Sequence, residues 1–326
     1  MQEKLHTQLE SDTDTVQVKT MNPLVSIIVI TYNSSKYVLE TLESAKAQTY
    51  QNIELVVSDD CSTDDTVEIC RKWIELNKSR FVRTELIVAI KNSGIAPNCN
   101  RGINLANGEW LKLIAGDDIL YNNCIKINIE NTYSTEAKFF FSKFHVLSGN
   151  SEDIVNTEKA FEDKYYLFNG NQFDNFMNVG YYFPTITFFA NKNEVFKVGL
   201  YNENYPFHED LPMWFKILKK GYRFSFIDDY TVQYRIHNNS IFNDNKQIIS
   251  PLWFKSSKKF YYKEYFKENI KRKQFLKVID RMVLFLYYDM SIKLGNKRGI
   301  LNNICKSILL LSPTYVINKV KQLFHS

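Results

Sequence analysis

A nearly continuous β-branched run lies close to the N-terminus and reads Val25-Ser26-Ile27-Ile28-Val29-Ile30. Such a run is typical of a central parallel strand that is buried on both faces of a sheet. The run ends in the polar turn Thr31–Ser35, whose serines are suited to cap a helix that begins near Lys36. The order of strand, polar turn and helix therefore predicts the first βα unit of a parallel sheet.

Three further strands of the same kind follow before residue 120. They are predicted at Ile53–Val57, Leu86–Ala89 and Glu109–Ile114, with helices at Thr66–Leu76 and Asn98–Ala106 between them. Strands that alternate with helices at this spacing predict an α/β fold with a mainly parallel, Rossmann-like sheet flanked by helices. Ligands of such sheets bind where the carboxyl ends of the strands meet the loops.

Polar side chains follow three of these predicted strands. They are Tyr32 and Asn33, then Asp59 and Asp60, then Asp117 and Asp118. A helix cap or a solvated turn explains any one pair, but three pairs at one sheet edge favour a binding site. The sequence has no glycine-rich phosphate loop, whereas Mg²⁺ and Mn²⁺ prefer carboxylate, phosphate and water oxygens. Asp117 and Asp118 are therefore predicted to hold a divalent cation that carries a nucleotide diphosphate.

The second half of the chain has a less regular pattern. Strands are predicted at Phe139–Phe141, Phe144–Leu147, Tyr181–Ala190, Phe224–Ile227 and Val232–Tyr234, and a helix at Asn169–Asn178. Glu209 and Asp210 precede a helix that has Pro212 in its first turn and runs to about Lys220. From the local sequence alone, this acidic pair is explained by helix capping or by a general base, and both explanations stay open.

Several motifs resemble those of the family 2 glycosyltransferases, which are inverting enzymes with a GT-A fold, and they occur in the same order. They are Val25–Asn33, Gln48–Leu55, Asp59–Thr66, Asn92–Gly94 with Asn100, Ala106–Glu109, Glu209-Asp210 and Tyr234–Ser240. The resemblance implies a GT-A catalytic domain at residues 23–248, with a nucleotide half at about 23–120 and an acceptor half at about 121–248. Residues 1–22 are expected to form a disordered lead-in.

The same resemblance implies roles for individual residues. Tyr32 is expected to lie against the base and Asp60 to accept a hydrogen bond from N3–H, which indicates uracil. The expected nucleotide-binding residues are Thr31, Tyr32, Asn33, Asp59, Asp60, Asn100, Asp117 and Arg235. The acid that usually begins the family's metal motif is replaced by Ala115, so the principal metal ligand is left open between Asp117 and Asp118.

The resemblance also implies catalytic and further metal-binding residues. Asp210 is expected to be the general base and Glu209 to orient the base or the acceptor. Arg235 is expected to face the diphosphate. His237 is expected to be a third metal ligand or a hydrogen-bond donor to the diphosphate, although a lone histidine is more often structural.

The C-terminal region differs from the rest of the chain in charge. Residues 251–326 carry 16 Lys and Arg against 4 Asp and Glu, a net charge of +12, and the preceding 250 residues carry 25 against 32, a net charge of −7. Apolar residues at helical spacing predict a basic helical region at 249–326. A helical appendage with a solvated lysine face, an amphipathic membrane-surface segment and a dimerisation surface all fit this pattern.

Taken together, the sequence predicts an inverting glycosyltransferase of the hexosyl or N-acetylhexosaminyl type. It would transfer a sugar from a UDP-sugar to a glycan or lipid-linked acceptor in cell-surface polysaccharide synthesis, with Mn²⁺ or Mg²⁺. Five irregularly spaced cysteines and a polar N-terminus predict a cytoplasmic protein. Peripheral contact with the inner face of the plasma membrane is one of the three explanations that stay open for the basic C-terminal region. No nucleic-acid motif is present. The alternatives are a sugar-phosphate nucleotidyltransferase and a non-catalytic nucleotide-sugar-binding relative.

Overall fold

The structure is a computed structural model and describes residues 22–148, 153–155, 168–180, 183–236, 248–297 and 299–317. Its first half alternates strands and helices. The elements are β1 (Val25–Thr31), α1 (Val38–Lys46), β2 (Ile53–Asp59), α2 (Thr66–Asn77), β3 (Thr84–Val88), α3 (Ile95–Leu105) and β4 (Trp110–Ala115). The four strands are parallel in the order β3-β2-β1-β4, with Val25 opposite both Ile53 and Trp110. The α/β prediction for this half is confirmed.

The second half completes a mixed nine-stranded sheet. Its elements are β5 (Ile119–Leu120), α4 (Cys124–Tyr133), β6 (Phe139–Ser148), β7 (Asp153–Val155), α5 (Gln172–Val179), β8 (Phe189–Asn191), α6 (Lys192–Val198), α7 (Asp210–Lys219) and β9 (Phe224–Ile236). The sheet continues as β4-β8-β6-β9-β5, with β7 paired to β6. β8 is antiparallel to both neighbours, whereas β6 and β9 are parallel.

The five strand predictions for this half were wrong in detail. The predicted strand Tyr181–Ala190 has residues 181–182 outside the described residues, then a 3₁₀ turn at Thr185–Thr187, and only Phe189–Asn191 pairs as a strand. The two strands predicted within β6 form one strand, and so do the two predicted within β9. Register shifts around Lys143 interrupt the alternation of buried side chains without ending the β6–β9 ladder.

A dense aromatic core fills one face of the second half of the sheet. Phe141 contacts Trp214 edge-on at 5.1 Å and lies 5.2 Å from Phe183 between ring centroids. All three side chains are almost completely buried. Because aromatic pairs add stabilisation beyond their buried area, this cluster fixes α7 firmly against the sheet. The residues just before α7 are therefore held at a defined position.

The C-terminal helices are α8 (Pro251–Phe260), α9 (Phe266–Lys271), α10 (Phe275–Lys293) and α11 (Ile300–Lys306), with a π-helical turn at Tyr261–Tyr265 and a 3₁₀ turn at Ser307–Leu311. Ser250 caps α8 by accepting from the Trp253 amide, and Pro251 occupies its first turn. Phe254, Phe260 and Phe285 join the aromatic core. No helix in the described ranges has both the length and the apolar character required to cross a membrane.

Candidate functional site

The ends of β1 and β2 are tied together by buried polar groups. The Thr31 hydroxyl donates to Asp59 Oδ2 at 2.8 Å, and the Ser62 amide donates to Asp59 Oδ1 at 2.8 Å. Both Thr31 and Asp59 are buried. In the structure these two predicted nucleotide-binding residues therefore shape the loops at the strand ends.

Tyr32 and Asn33 lie in the loop after β1. Asn33 has a positive φ of 52°, its amide donates to Ser62 Oγ at 2.8 Å, and its side-chain oxygen accepts from the Thr63 amide at 2.8 Å. These bonds join the two loops that follow β1 and β2. The Tyr32 side chain is 47% exposed, so its ring face is accessible to a flat ligand.

Asp60 is buried and accepts four hydrogen bonds. They come from the Ser93 amide at 2.9 Å, the Ser93 hydroxyl at 2.8 Å, the Gly94 amide at 2.7 Å and Arg101 Nη2 at 3.1 Å. A carboxylate has about four lone-pair sites, so these four donors occupy all of them. Asp60 therefore fixes the loop before α3, and its predicted bond to a base would have to replace one of these donors.

Asn100 fastens α3 to the segment that leads to the acidic pair. Its amide nitrogen donates to the Tyr201 carbonyl at 2.9 Å and to Glu203 Oε1 at 2.9 Å, and its oxygen accepts from the Tyr201 amide at 2.9 Å. Both amide donors are used in these contacts. The structure thus gives this buried residue a scaffolding position, which differs from the predicted nucleotide contact.

The turn after β4 presents its two carboxylates differently. Asp117 is partly exposed, whereas Asp118 is buried and accepts from the Arg235 amide at 2.9 Å. Burial, followed by the charge of Asp117, raises the pKa of Asp118 well above its ordinary value. At Gly116 a Cβ atom would lie 2.7 Å from Thr31 Cγ2, so the turn requires glycine. Of the pair, Asp117 is the carboxylate that reaches solvent.

Arg235 supports this turn from within the protein. Its Nε donates to the Asp117 carbonyl at 2.9 Å, its Nη2 donates to Glu40 Oε2 at 2.6 Å, and its guanidinium lies 4.7 Å from the centre of the Tyr37 ring. The side chain is 1% exposed. The guanidinium is thus engaged with Glu40 and the backbone of the turn, and its predicted diphosphate contact stays a prediction.

The donor set at this turn suits a hard divalent cation. Mg²⁺ and Mn²⁺ are usually held by one or two carboxylates together with phosphate oxygens and water. The described ranges contain no cluster of three or more His, Cys, Asp or Glu side chains that could hold a metal by themselves. His237 lies outside the described residues, so its predicted metal contact remains a prediction.

Glu209 and Asp210 lie at the N-terminus of α7. Asp210 accepts from the Thr185 hydroxyl at 3.3 Å and from the Leu211 amide at 2.6 Å. Burial, and then the charge of Asp210, raises the pKa of Glu209 to about 8. At neutral pH Glu209 is therefore mainly protonated.

The loop before this pair is fixed against the nucleotide half. The Ile95 amide donates to the Pro206 carbonyl at 3.0 Å, and a Cβ atom at Gly94 would lie 2.9 Å from the same oxygen. Burial raises the pKa of the Cys99 thiol, and the charges of Glu209 and Asp60 raise it further. The charges of Asp60 in the nucleotide half and Glu209 in the acceptor half thus both act on Cys99 of α3.

His208 is a residue that sequence reasoning missed. It is buried, and neither ring nitrogen has a hydrogen-bond partner among the described residues. Burial lowers its pKa to about 4, so the imidazole is neutral at physiological pH. Its position directly before Glu209 was the only signal in the sequence, because its aromatic neighbours come from the distant C-terminal helices.

Comparison with known proteins gives the family. Residues 26–203, more than half of the chain, match Glycosyl transferase family 2. A Bacillus subtilis protein assigned as the teichuronic acid biosynthesis glycosyltransferase TuaG is 24% identical over 232 residues, covering 71% of this chain and 86% of that protein. The Escherichia coli UDP-Glc:alpha-D-GlcNAc-diphosphoundecaprenol beta-1,3-glucosyltransferase WfaP is 28% identical over 223 residues, covering 67% of this chain and 79% of WfaP.

Solved structures give the fold. Residues 1–349 of S. aureus TarS in complex with UDP superpose with a TM-score of 0.53 at 16% identity, covering 91% of each chain. The mannosyltransferase PcManGT from Pyrobaculum calidifontis, in complex with GDP-Man and Mn²⁺, gives a TM-score of 0.51 at 16% identity and covers 91% of this chain and 70% of its own. The GT-A prediction is confirmed by these likenesses. The chain belongs to glycosyl transferase family 2 and is a glycosyltransferase.

Proposed function

We propose that this enzyme transfers a sugar, with inversion, from a UDP-sugar to a hydroxyl of a glycan or lipid-linked acceptor in cell-surface polysaccharide synthesis. The observation that carries the proposal is the link at the start of α3, where the Gly94 amide donates to Asp60 and the Ile95 amide donates to the Pro206 carbonyl in the loop before the Glu209–Asp210 pair. The UDP-Glc donor of WfaP and the TarS complex with UDP-GlcNAc support a UDP-sugar donor, and the diphosphoundecaprenol-linked acceptor of WfaP supports a diphosphate-linked acceptor.

Asp117 is proposed as the principal ligand of a divalent cation, Mn²⁺ or Mg²⁺. Its carboxylate reaches solvent, while Asp118 is buried and is held by the Arg235 amide. Bound there, the cation would stabilise negative charge on the leaving diphosphate. Asp118 and Arg235 then act by fixing the direction of the Asp117 side chain. Tyr32, with its accessible ring, is proposed to stack on the uracil base.

Asp210 is proposed as the general base. It removes the proton of an acceptor hydroxyl while the hydroxyl oxygen forms a bond to the anomeric carbon of the donor and the bond from that carbon to the diphosphate oxygen breaks. UDP leaves with the electron pair of that bond, and the proton stays on Asp210. Glu209, protonated near neutral pH, can donate a hydrogen bond to the acceptor or to Asp210.

The C-terminal helices are proposed to contact the inner face of an anionic membrane. Exposed apolar side chains recur on one face of α10 at Phe275, Ile279, Met282, Leu286 and Met290. The region that carries them has a net charge of +12. A basic helix with an apolar face binds anionic bilayers by burying its apolar side chains and by the attraction of its positive charges to the anionic headgroups. If the purified enzyme dimerises and does not bind phosphatidylglycerol vesicles, this face serves self-association instead.

A panel of nucleotide sugars tests the donor assignment. We expect UDP-sugars with Mn²⁺ to raise the unfolding temperature and to be slowly hydrolysed, whereas GDP- and dTDP-sugars have weaker effects. A sugar-phosphate nucleotidyltransferase would instead release pyrophosphate from a nucleoside triphosphate. A non-catalytic relative would be stabilised by UDP-sugars without any turnover.

A further inference from the structure

The C-terminal helices contact the residue that precedes the acidic pair. The His208 ring lies 5.0 Å from Trp253 and 6.1 Å from Phe260 between centroids. Both partners belong to α8, and Tyr261 follows directly at the π-helical turn. Because His208 is adjacent to Glu209, these helices form a wall beside the proposed base. The two ring nitrogens of His208 are buried and have no hydrogen-bond partner among the described residues.

Arg281, in α10, lies next to Tyr261 of the π-helical turn. Its guanidinium carbon lies 4.5 Å from the centre of the Tyr261 ring, and the side chain is partly exposed. The charge of Asp210 raises the pKa of His208, and the charge of Arg281 lowers it. The same two charges act on Tyr261 in the same directions. Phe260, which is a neighbour of His208, also lies 5.7 Å from Tyr261 between ring centroids, so a chain of ring contacts links Arg281 to the residue before the acidic pair.

Arg281 differs from its neighbour Arg272 in its partners. Arg272 forms ion pairs with Asp174 and Glu268, which use its guanidinium in holding α9 to α5. Arg281 forms no ion pair within the part of the chain that the structure describes. A guanidinium that is oriented by an aromatic ring and lacks a carboxylate is well suited to bind phosphate oxygens in a bidentate manner.

We propose that Arg281, oriented by Tyr261, binds a phosphate group of the acceptor beside the base. This inference rests on the proposed role of Asp210, because the base defines which side of the site receives the acceptor. The C-terminal helices would then complete the acceptor site in addition to any membrane contact. The phosphate is that of a lipid-linked diphosphate, and the headgroup of a bilayer lipid is the competing source.

Geranyl diphosphate is a probe of this subsite, and geraniol is its neutral counterpart. The enzyme is first saturated with UDP and Mn²⁺, so that the donor site is filled, and the probe is then titrated by calorimetry. Removing a charged bidentate contact in Arg281→Ala should raise the Kd for geranyl diphosphate about tenfold or more. Arg281→Lys should recover part of the affinity. Lys293→Ala, an exposed lysine of the same helix, should leave the Kd unchanged.

Two controls separate this inference from the others. The Kd of UDP with Mn²⁺ should be the same in Arg281→Ala and wild type, so failure of UDP to bind either protein would refute the donor proposal alone. Binding to phosphatidylglycerol vesicles should also be unchanged in Arg281→Ala. An unchanged Kd for geranyl diphosphate, an equal loss of geraniol binding, or a loss confined to the vesicles would overturn the acceptor subsite.

Discussion

Replacing Arg235 by methionine removes the charge that supports the metal-binding turn and keeps most of the side-chain volume. The substitution eliminates the hydrogen bond to the Asp117 carbonyl and the ion pair with Glu40. Breaking a buried ion pair costs about 3–5 kcal/mol, but the Glu40 side chain is 44% exposed and regains water. An unpaired carbonyl costs about 1–3 kcal/mol. We therefore expect the free energy of unfolding to fall by about 2–4 kcal/mol.

Urea unfolding, followed by fluorescence, measures this change directly. The denaturant midpoint of Arg235→Met should fall, while the slope of the transition is unchanged. Glu40→Gln keeps an acceptor oxygen for Arg235 but leaves the buried guanidinium without its carboxylate, so its cost should be about 1–3 kcal/mol. The affinity for UDP with Mn²⁺ should weaken in Arg235→Met because the Asp117 carboxylate loses its fixed direction.

A different result would support the diphosphate contact that the sequence predicted for Arg235. If Arg235→Met unfolds at the same urea concentration as wild type and loses only catalytic turnover, the guanidinium acts on the leaving diphosphate and does not hold the turn. Arg235→Lys distinguishes the two roles further. A lysine near a diphosphate retains much of the activity, whereas it cannot satisfy Glu40 and the Asp117 carbonyl with the same geometry.

Three further predictions concern the carboxylates. Asp210→Asn should lower kcat for transfer by about 10²-fold or more and leave UDP affinity intact, as steady-state kinetics will show. Glu209→Gln should retain most activity at pH 7. The pKa of Glu209 is raised from 4.5 to about 8 in the folded protein, so wild type should lose stability as the pH rises from about 4.5 to about 8. Glu209→Gln should not show this loss, and urea unfolding at each pH measures it. Asp117→Asn should weaken Mn²⁺-dependent UDP binding about tenfold or more, measured by calorimetry.

The regular half of the fold was predictable from the sequence because three of its four strands, β1, β2 and β4, are buried on both faces. A run such as Val25–Ile30 has one physical explanation, and the helices between such runs have a clear apolar stripe. The wrong prediction at residues 181–190 has the opposite cause. Aromatic side chains such as Phe183 and Phe188 are buried in the core from a turn as readily as from a strand, so their hydrophobicity did not define the backbone.

The site was predictable in its location and less so in its contacts. Asp60 and Asn100 follow recognisable motifs, but their hydrogen bonds go to Gly94 and Tyr201, and Tyr201 lies 101 positions away from Asn100 in the chain. Partners at such separations have no local signal in the sequence. The same holds for Arg235, whose partner Glu40 lies 195 positions away.

The C-terminal region gives a further example of this limit. Its charge and helical spacing predicted helices, and the structure contains them. The contact between His208 and Trp253 depends on how those helices pack, which periodicity does not specify. The acidic pair was therefore predictable from the sequence, whereas the packing of α8 against His208 beside the pair was not.

Titration of UDP in the presence and absence of Mn²⁺ tests the central claim most directly. The account predicts that UDP binds wild type with Mn²⁺, that a chelator abolishes or strongly weakens binding, and that Asp117→Asn has the same effect as the chelator. Binding of UDP that is equally tight without metal, or equally tight in Asp117→Asn, would contradict the claim that the turn after β4 is the metal end of a nucleotide-sugar site.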